Sequence, residues 1–96
     1  SLREQRERIP LAHEIVIAKA YERVERLRLG HRLAVDWQVD GLPMDAPVPA
    51  LILQPLLENA VYHGIEPLEK GGTIRVAGRR DGRHVVLTID NPVAPR

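Results

Sequence analysis

The stretch from Leu53 to Gly64 limits what this chain can become. Successive residues of an α-helix turn by about 100°. That rotation gathers Ile52, Leu53, Leu56, Leu57, Ala60 and Val61 on one broad side. A side so apolar must be covered by a second layer. Asn59 and His63, four apart, stack on one edge of it, where buried meets accessible. Glu58 and Tyr62, also four apart, lie on the more open side, and Gly64 stands where such a helix would stop. A proline in a helix interior removes a hydrogen bond and clashes with the preceding turn. Either the regular helix starts just before Pro55 or it bends there; a first turn near Ile52 keeps Pro55 close to the N-terminal end.

The flanking segments supply the candidate cover. From Leu11 to about Leu29 the pattern is helical: Val16, Ile17, Ala20, Tyr21, Val24 and Leu27 share a face, and Glu22, Arg23, Glu25 and Arg26 point away. Pro10 suits the first turn and Gly30 the stop. This stripe predicts packing on a sheet or on a partner helix. Leu33, Val35, Trp37 and Val39 then alternate with Ala34, Asp36, Gln38 and Asp40, the period of a half-buried strand. Gly41 to Pro49, with three prolines, reads as a loop, as does Gly64 to Gly72. Thr73 to Gly78 and His84 to Asp90 read as strands joined across Asp81-Gly82, with Val85, Leu87 and Ile89 toward one face. Residues 1–9 are mostly charged and carry little core information, and Pro92 and Pro95 prevent the last strand from continuing. The order helix, strand, helix, strand, strand predicts an α/β fold, a two-layer sandwich with helices packed on one face of a mixed sheet.

Composition narrows the function. Ninety-six residues allow one small domain or a piece of a larger one. With no Phe, one Trp and two Tyr, the core rests on Leu, Ile, Val and Ala. A net charge of +1 with interspersed signs leaves no electrostatic footprint for DNA or RNA. The run Arg79-Arg80-Asp81-Gly82-Arg83 reads as a solvated hairpin tip. The absence of cysteine excludes disulfides and thiol chemistry. No apolar run approaches a membrane span, and the charged start Ser1-Leu2-Arg3-Glu4 does not read as a signal peptide.

The polar strip carries the chemistry. The Asn59 carboxamide can present a neutral oxygen to a hard cation, one way to hold Mg²⁺ already bridging nucleotide phosphates. Asn plus His at this spacing also occurs on plain solvated helix edges, and a strand-end Asp90 can simply cap a turn. The four histidines show no metal-site spacing.

Leu53-Gln54-Pro55-Leu56-Leu57-Glu58-Asn59-Ala60-Val61-Tyr62-His63-Gly64 resembles the N box of LytS-type sensor histidine kinases, members of the GHKL ATPase superfamily. Pro10 to Leu33 resembles the last helix before the ATPase domain and the entry into its first strand. Gly71 to Val76 resembles the glycine pair and strand after the N box, and Leu87-Thr88-Ile89-Asp90-Asn91 the strand leading to the first glycine-rich nucleotide box. The resemblance implies an incomplete Bergerat (GHKL) ATP-binding fold using ATP and Mg²⁺. Asn59 matches the Asn that ligates Mg²⁺, and Asp90 matches the Asp that accepts a hydrogen bond from the adenine amino group. Asn91, Tyr62 and His63 are candidates to line the pocket, and Glu58 to orient water or polarise a nucleophile.

Four departures stand out. Tyr62 occupies a position often Lys in the family. Pro92 replaces the glycine expected after Asp90-Asn91, an exchange that alginate-sensor-like members tolerate. The later glycine-rich box and the ATP lid are not in the chain, and neither is a phosphoacceptor segment. His13-Glu14-Ile15 imitates an acceptor box superficially, but its surroundings do not, and a polar residue on the helix flank fits His13 better.

The expectation is part of a two-component sensor histidine kinase: residues 1–30 end a dimerisation and phosphotransfer region, and residues 31–96 form the first half of the catalytic domain. Such a protein autophosphorylates an upstream His and signals to a response regulator of the LytTR type. It would be a homodimer, anchored in the inner membrane through upstream segments, with this part cytoplasmic. The isolated chain is expected to be weakly active or inactive. Two rivals are a docking module that works through its first helix and a nucleotide-binding but kinase-dead GHKL regulator.

Overall fold

The computed structural model describes residues 7–91. The charged start before Glu7 and the expected strand break from Pro92 onward lie outside the described residues. The elements run β1 (Arg8–Pro10), α1 (Leu11–Leu29), a 3₁₀ turn (Gly30–Arg32), β2 (Leu33–Gln38), β3 (Pro47–Pro49), α2 (Leu53–Ala60), a π-helical turn (Val61–Ile65), β4 (Gly72–Asp81) and β5 (His84–Asp90).

Helix α1 begins directly after Pro10 and ends at Gly30, whose φ of 59° admits glycine readily and whose N–H bonds to the Arg26 carbonyl. The first N–H groups of a helix have no partner within it. Here Leu11 donates to the Ala46 carbonyl at 2.9 Å and Ala12 to the Met44 carbonyl at 3.0 Å. The loop before α2 thus caps α1. Pro55 falls in the first turn of α2, where a missing N–H costs nothing, as its position predicts.

The main sheet has the order β2-β4-β5, with β2 parallel and β5 antiparallel to β4. Leu33, Ile74 and Val76 are buried, and Val35, Trp37, Val85, Leu87 and Ile89 pack against the same cluster. Both helices feed that cluster, α1 through Leu11, Ile15, Ala18 and Leu29 and α2 through Leu53, Leu57 and Ala60. The α/β class and the mixed sheet are as expected. Residues on both sides of position 30 share this one core.

Five details differ from the expectations. Residues 8–10 and 47–49, read as a charged lead and a loop, pair as a small antiparallel sheet, Ile9 opposite Val48. Short proline-bracketed strands leave almost no period to detect. The hairpin turns at Gly82-Arg83, because Asp81 pairs with His84; Gly82 takes φ 61° at the first turn position, as a two-residue hairpin loop favours. Gly64 does not end the helix: the chain passes through it in a wider turn, with the Glu66 N–H bonded to the Val61 carbonyl five residues back at 3.0 Å. The stripe chosen on α1 is not the buried one. Val16 and Val24 are each 63% exposed and Leu27 88%, whereas Glu14 and Glu22 are buried with Leu11, Ile15 and Ala18. Ile52 and Leu56 also remain exposed, beside an open apolar groove shared with Val48, Val85 and Leu87.

Candidate functional site

Helix α2 sinks Leu53, Leu57 and Ala60 into the core and turns Glu58 and Asn59 to solvent. The π-helical turn continues this division, burying Val61, Gly64 and Ile65 and exposing Tyr62 and His63. Tyr62 and His63, consecutive in this turn, stand with their rings edge to face, centroids 4.9 Å apart. The polar strip is therefore wholly accessible.

Glu58, Asn59 and Tyr62 border a cleft of about 490 Å³ between α2 and α1, with Tyr21, Glu25 and Arg28 on the facing wall and Glu66 at one end. Arg28 bonds both Glu25 and Glu66, and this guanidinium holds the Glu66 carboxyl below the usual carboxylate range. The Tyr21 phenol is pushed up to about 12, first by burial and then by the nearby Glu25 and Glu58 carboxylates. Glu58 also accepts a 2.8 Å hydrogen bond from Gln54 Nε2. Three carboxylates against one guanidinium make this wall a poor seat for a bare polyphosphate, but not for a cation. Among the described residues no group of three or more His, Cys, Asp or Glu could hold a metal ion unaided.

His63, Asp90 and Asn91 do not line this cleft. Asp90 is in register with Arg75, which is in register with Asp36, so the three share one sheet face, and all are exposed. Arg75 Nε lies 4.0 Å from Asp36 Oδ2 on that face. The opposite face carries Val85, Leu87 and Ile89 toward the helices. Asn91, one residue on, reaches back to the π turn: a Cβ built on Gly64 would meet Asn91 Cβ at 2.7 Å. The structure thus brings Asn91, rather than Asp90, to the turn that carries His63.

Three residues that hold the elements around this strip together escape a reading of the sequence. Glu14, 1% exposed, accepts the backbone N–H groups of Leu51, Ile52 and Leu53. Glu22 accepts the Trp37 indole N–H at 2.7 Å and bonds Arg26. Arg32 ties the 3₁₀ turn to the carbonyls of Glu66 and Leu68 at 3.1 and 3.0 Å. The available signal was the i, i+4, i+8 spacing of Leu11, Ile15 and Lys19, bracketed by Glu14, Ala18 and Glu22.

No family model matches the chain. It is 34% identical over 91 residues to the sensor histidine kinase BtsS of Escherichia coli K12, covering 95% of the chain and 16% of BtsS. It is 31% identical over 83 residues to the sensor histidine kinase YpdA of the same organism, covering 86% and 14%. With the sensor protein LytS of Staphylococcus haemolyticus it shares 27% identity over 81 residues, covering 84% and 14%. The chain spans only about one seventh to one sixth of the length of these three relatives. No described helix is long and apolar enough to cross a membrane. Over nearly its whole length the chain is homologous to a short segment of the sensor histidine kinases, LytS among them.

Proposed function

We propose that this chain is the N-box part of a GHKL-type ATP-binding domain, serving a two-component kinase that passes phosphate from an upstream His to a response regulator. The observation that carries the proposal is the exposed carboxamide of Asn59 on a helix whose other side is buried, in a chain homologous to sensor histidine kinases. Mg²⁺ usually keeps several waters and takes one or two protein ligands besides substrate phosphates. An isolated Asn oxygen suits that demand, and a denser acidic cage is not required. Asn59 would hold the metal, which when bound supplies charge neutralisation for phosphoryl transfer. His63 and Asn91 would flank the nucleotide from the π turn and the end of β5, and Tyr62 would cover its edge. Glu58, exposed beside Asn59, would be the carboxylate that polarises a nucleophile.

Titration calorimetry with ATP tests this directly. Mg-ATP should bind and Asn59→Ala should weaken it by about tenfold, the effect of losing one ligand to a hard cation. Equal affinity in the variant, or equal affinity with and without Mg²⁺, would remove the assignment.

A second reading rests on α1. Val16, Ile17, Ala20 and Val24 form an accessible apolar surface beside Gln54. A long helix with an uncovered stripe suits packing on another helix, and a second copy in a homodimer is the partner this reading assigns. If docking alone were the function, Val16→Glu with Val24→Glu would abolish it and Asn59→Ala would not.

A further inference from the structure

We propose that Glu14 is a positioning residue through which α1 sets the placement of Asn59; this rests on the reading of Asn59 as the Mg-ATP ligand. Glu14 is buried against the turn that leads into α2, and its two oxygens take three backbone donors: Leu51 at 2.7 Å, Ile52 at 2.9 Å and Leu53 at 3.0 Å. These include the orphan N–H groups that begin α2, a helix with no capping side chain of its own. The cap comes instead from the first turn of α1, on the face that enters the core.

The approach to α2 depends on that carboxylate. Leu51 adopts φ 57°, the left-handed region that a branched side chain avoids. Its side chain is exposed, so packing does not hold it there. On its N-terminal side the segment is held by the β1–β3 pairing and by the Ala50 N–H bonded to the Glu7 carbonyl at 2.9 Å; from Leu51 onward it is held by three successive N–H groups donated into one carboxylate. In return the segment before α2 caps α1, through the Ala46 and Met44 carbonyls. Each helix is therefore fixed at its N-terminus by the other's surroundings. Leu53, at the capped end, and Leu57 are buried on the same helix and seat it in the core, so a shift of its first turn is carried along the rod to Asn59, less than two turns on. Movement of α1 is thereby delivered to Asn59 through Glu14.

The chemistry asks for a carboxylate. Gln in its place has one carbonyl oxygen and an NH₂ group, which would face a backbone donor. Amide hydrogen exchange and Mg-ATP titration on Glu14→Gln, with Asn59→Ala as reference, separate the possibilities. We expect faster exchange at Leu51–Leu53 that extends to Asn59–Ile65, and Mg-ATP affinity weakened about tenfold, in line with loss of a charge-assisted hydrogen bond. Faster exchange confined to the first turn with unchanged affinity would overturn the proposal, since a merely local cap predicts that. If the unmodified chain does not bind Mg-ATP, or Asn59→Ala binds it equally well, the nucleotide reading fails, and exchange at residues 59–65 in Glu14→Gln decides the coupling alone. If Glu14→Gln does not fold, Glu14→Asp, which withdraws the same charge by one methylene, carries both readouts.

Discussion

Asn91 closes over Gly64 so tightly that a methyl group on the glycine would lie 2.7 Å from Asn91 Cβ and 2.9 Å from its Nδ2. Gly64 has no positive φ, so space and not backbone freedom demands glycine here. The contact joins the end of β5 to the turn that follows Asn59. Gly64→Ala should cost about 1–3 kcal/mol, the range for overpacking a filled site. Urea unfolding measures the loss, and the Asn91 backbone amide resonance should move. Unchanged stability with an unmoved Asn91 would show that the space is not needed.

Glu22 and Trp37 form a second such link, between α1 and β2. Trp37 Nε1 donates to Glu22 Oε1 at 2.7 Å, and Lys19 Nζ lies 5.3 Å from the ring centroid. Replacing Glu22 by Ala strands an indole donor in a half-buried position and loosens Arg26 as well. The expected cost is about 1–3 kcal/mol, read from unfolding followed by Trp37 fluorescence, the chain's one tryptophan signal. Lys19→Met should cost much less, because it removes a half-buried cation over the ring but keeps the apolar stem and leaves the hydrogen bond.

These two glutamates explain where sequence reasoning failed. Helix and strand periods revealed α1, β2, α2, β4 and β5 because each alternates or repeats long enough to count. On α1, however, a count of apolar residues points to the wrong face. The real buried face includes Glu14 and Glu22, each satisfied by a distant partner, and so scores as polar. Its exposed rival, Val16, Val24 and Leu27, looks greasier. A buried acid is a tertiary fact: its acceptors' partners lie 37 and 15 residues away in the chain. The strip around Asn59 was legible because it needs only one helix, whereas the Asn91–Gly64 contact needs the fold.

Two groups on the α1–α2 cleft set opposite pH limits. Tyr21 is raised to about 12 by burial and by Glu25 and Glu58, so folding favours its neutral form. Its contribution is fully present below the ordinary tyrosine value of about 10 and is lost as pH rises toward 12. Glu66 is lowered by Arg28, so its contribution is present above the ordinary carboxylate range and is lost as pH falls through its depressed value. Ultraviolet titration in a Tyr62→Phe background should show Tyr21 ionising near pH 12, and Glu25→Gln should bring that midpoint down. A midpoint near 10 would mean that the cleft does not shelter the phenol.

The last expectation concerns which side chain at the end of β5 meets a nucleotide. Strand residues alternate between faces. Ile89 packs toward the helices, so Asp90 belongs to the outer face with Arg75 and Asp36, and Asn91 returns to the helical side against Gly64. A base bound beside Asn59 and His63 would therefore be read by the Asn91 carboxamide. Asp90 would instead balance Arg75 on the far side of the sheet. In Mg-ATP titrations Asn91→Ala should weaken binding by about tenfold, the loss of one or two hydrogen bonds to a base edge, while Asp90→Asn should leave it within about twofold, as removal of an exposed charge from the opposite face does. Replacing ATP by GTP should abolish the difference between the chain and its Asn91→Ala variant, because the two bases present different donors and acceptors at that edge. The reverse ranking, with Asp90→Asn the damaging change, would mean that the end of β5 rotates when nucleotide binds, and the alternation seen in the free chain would no longer identify the base-reading residue.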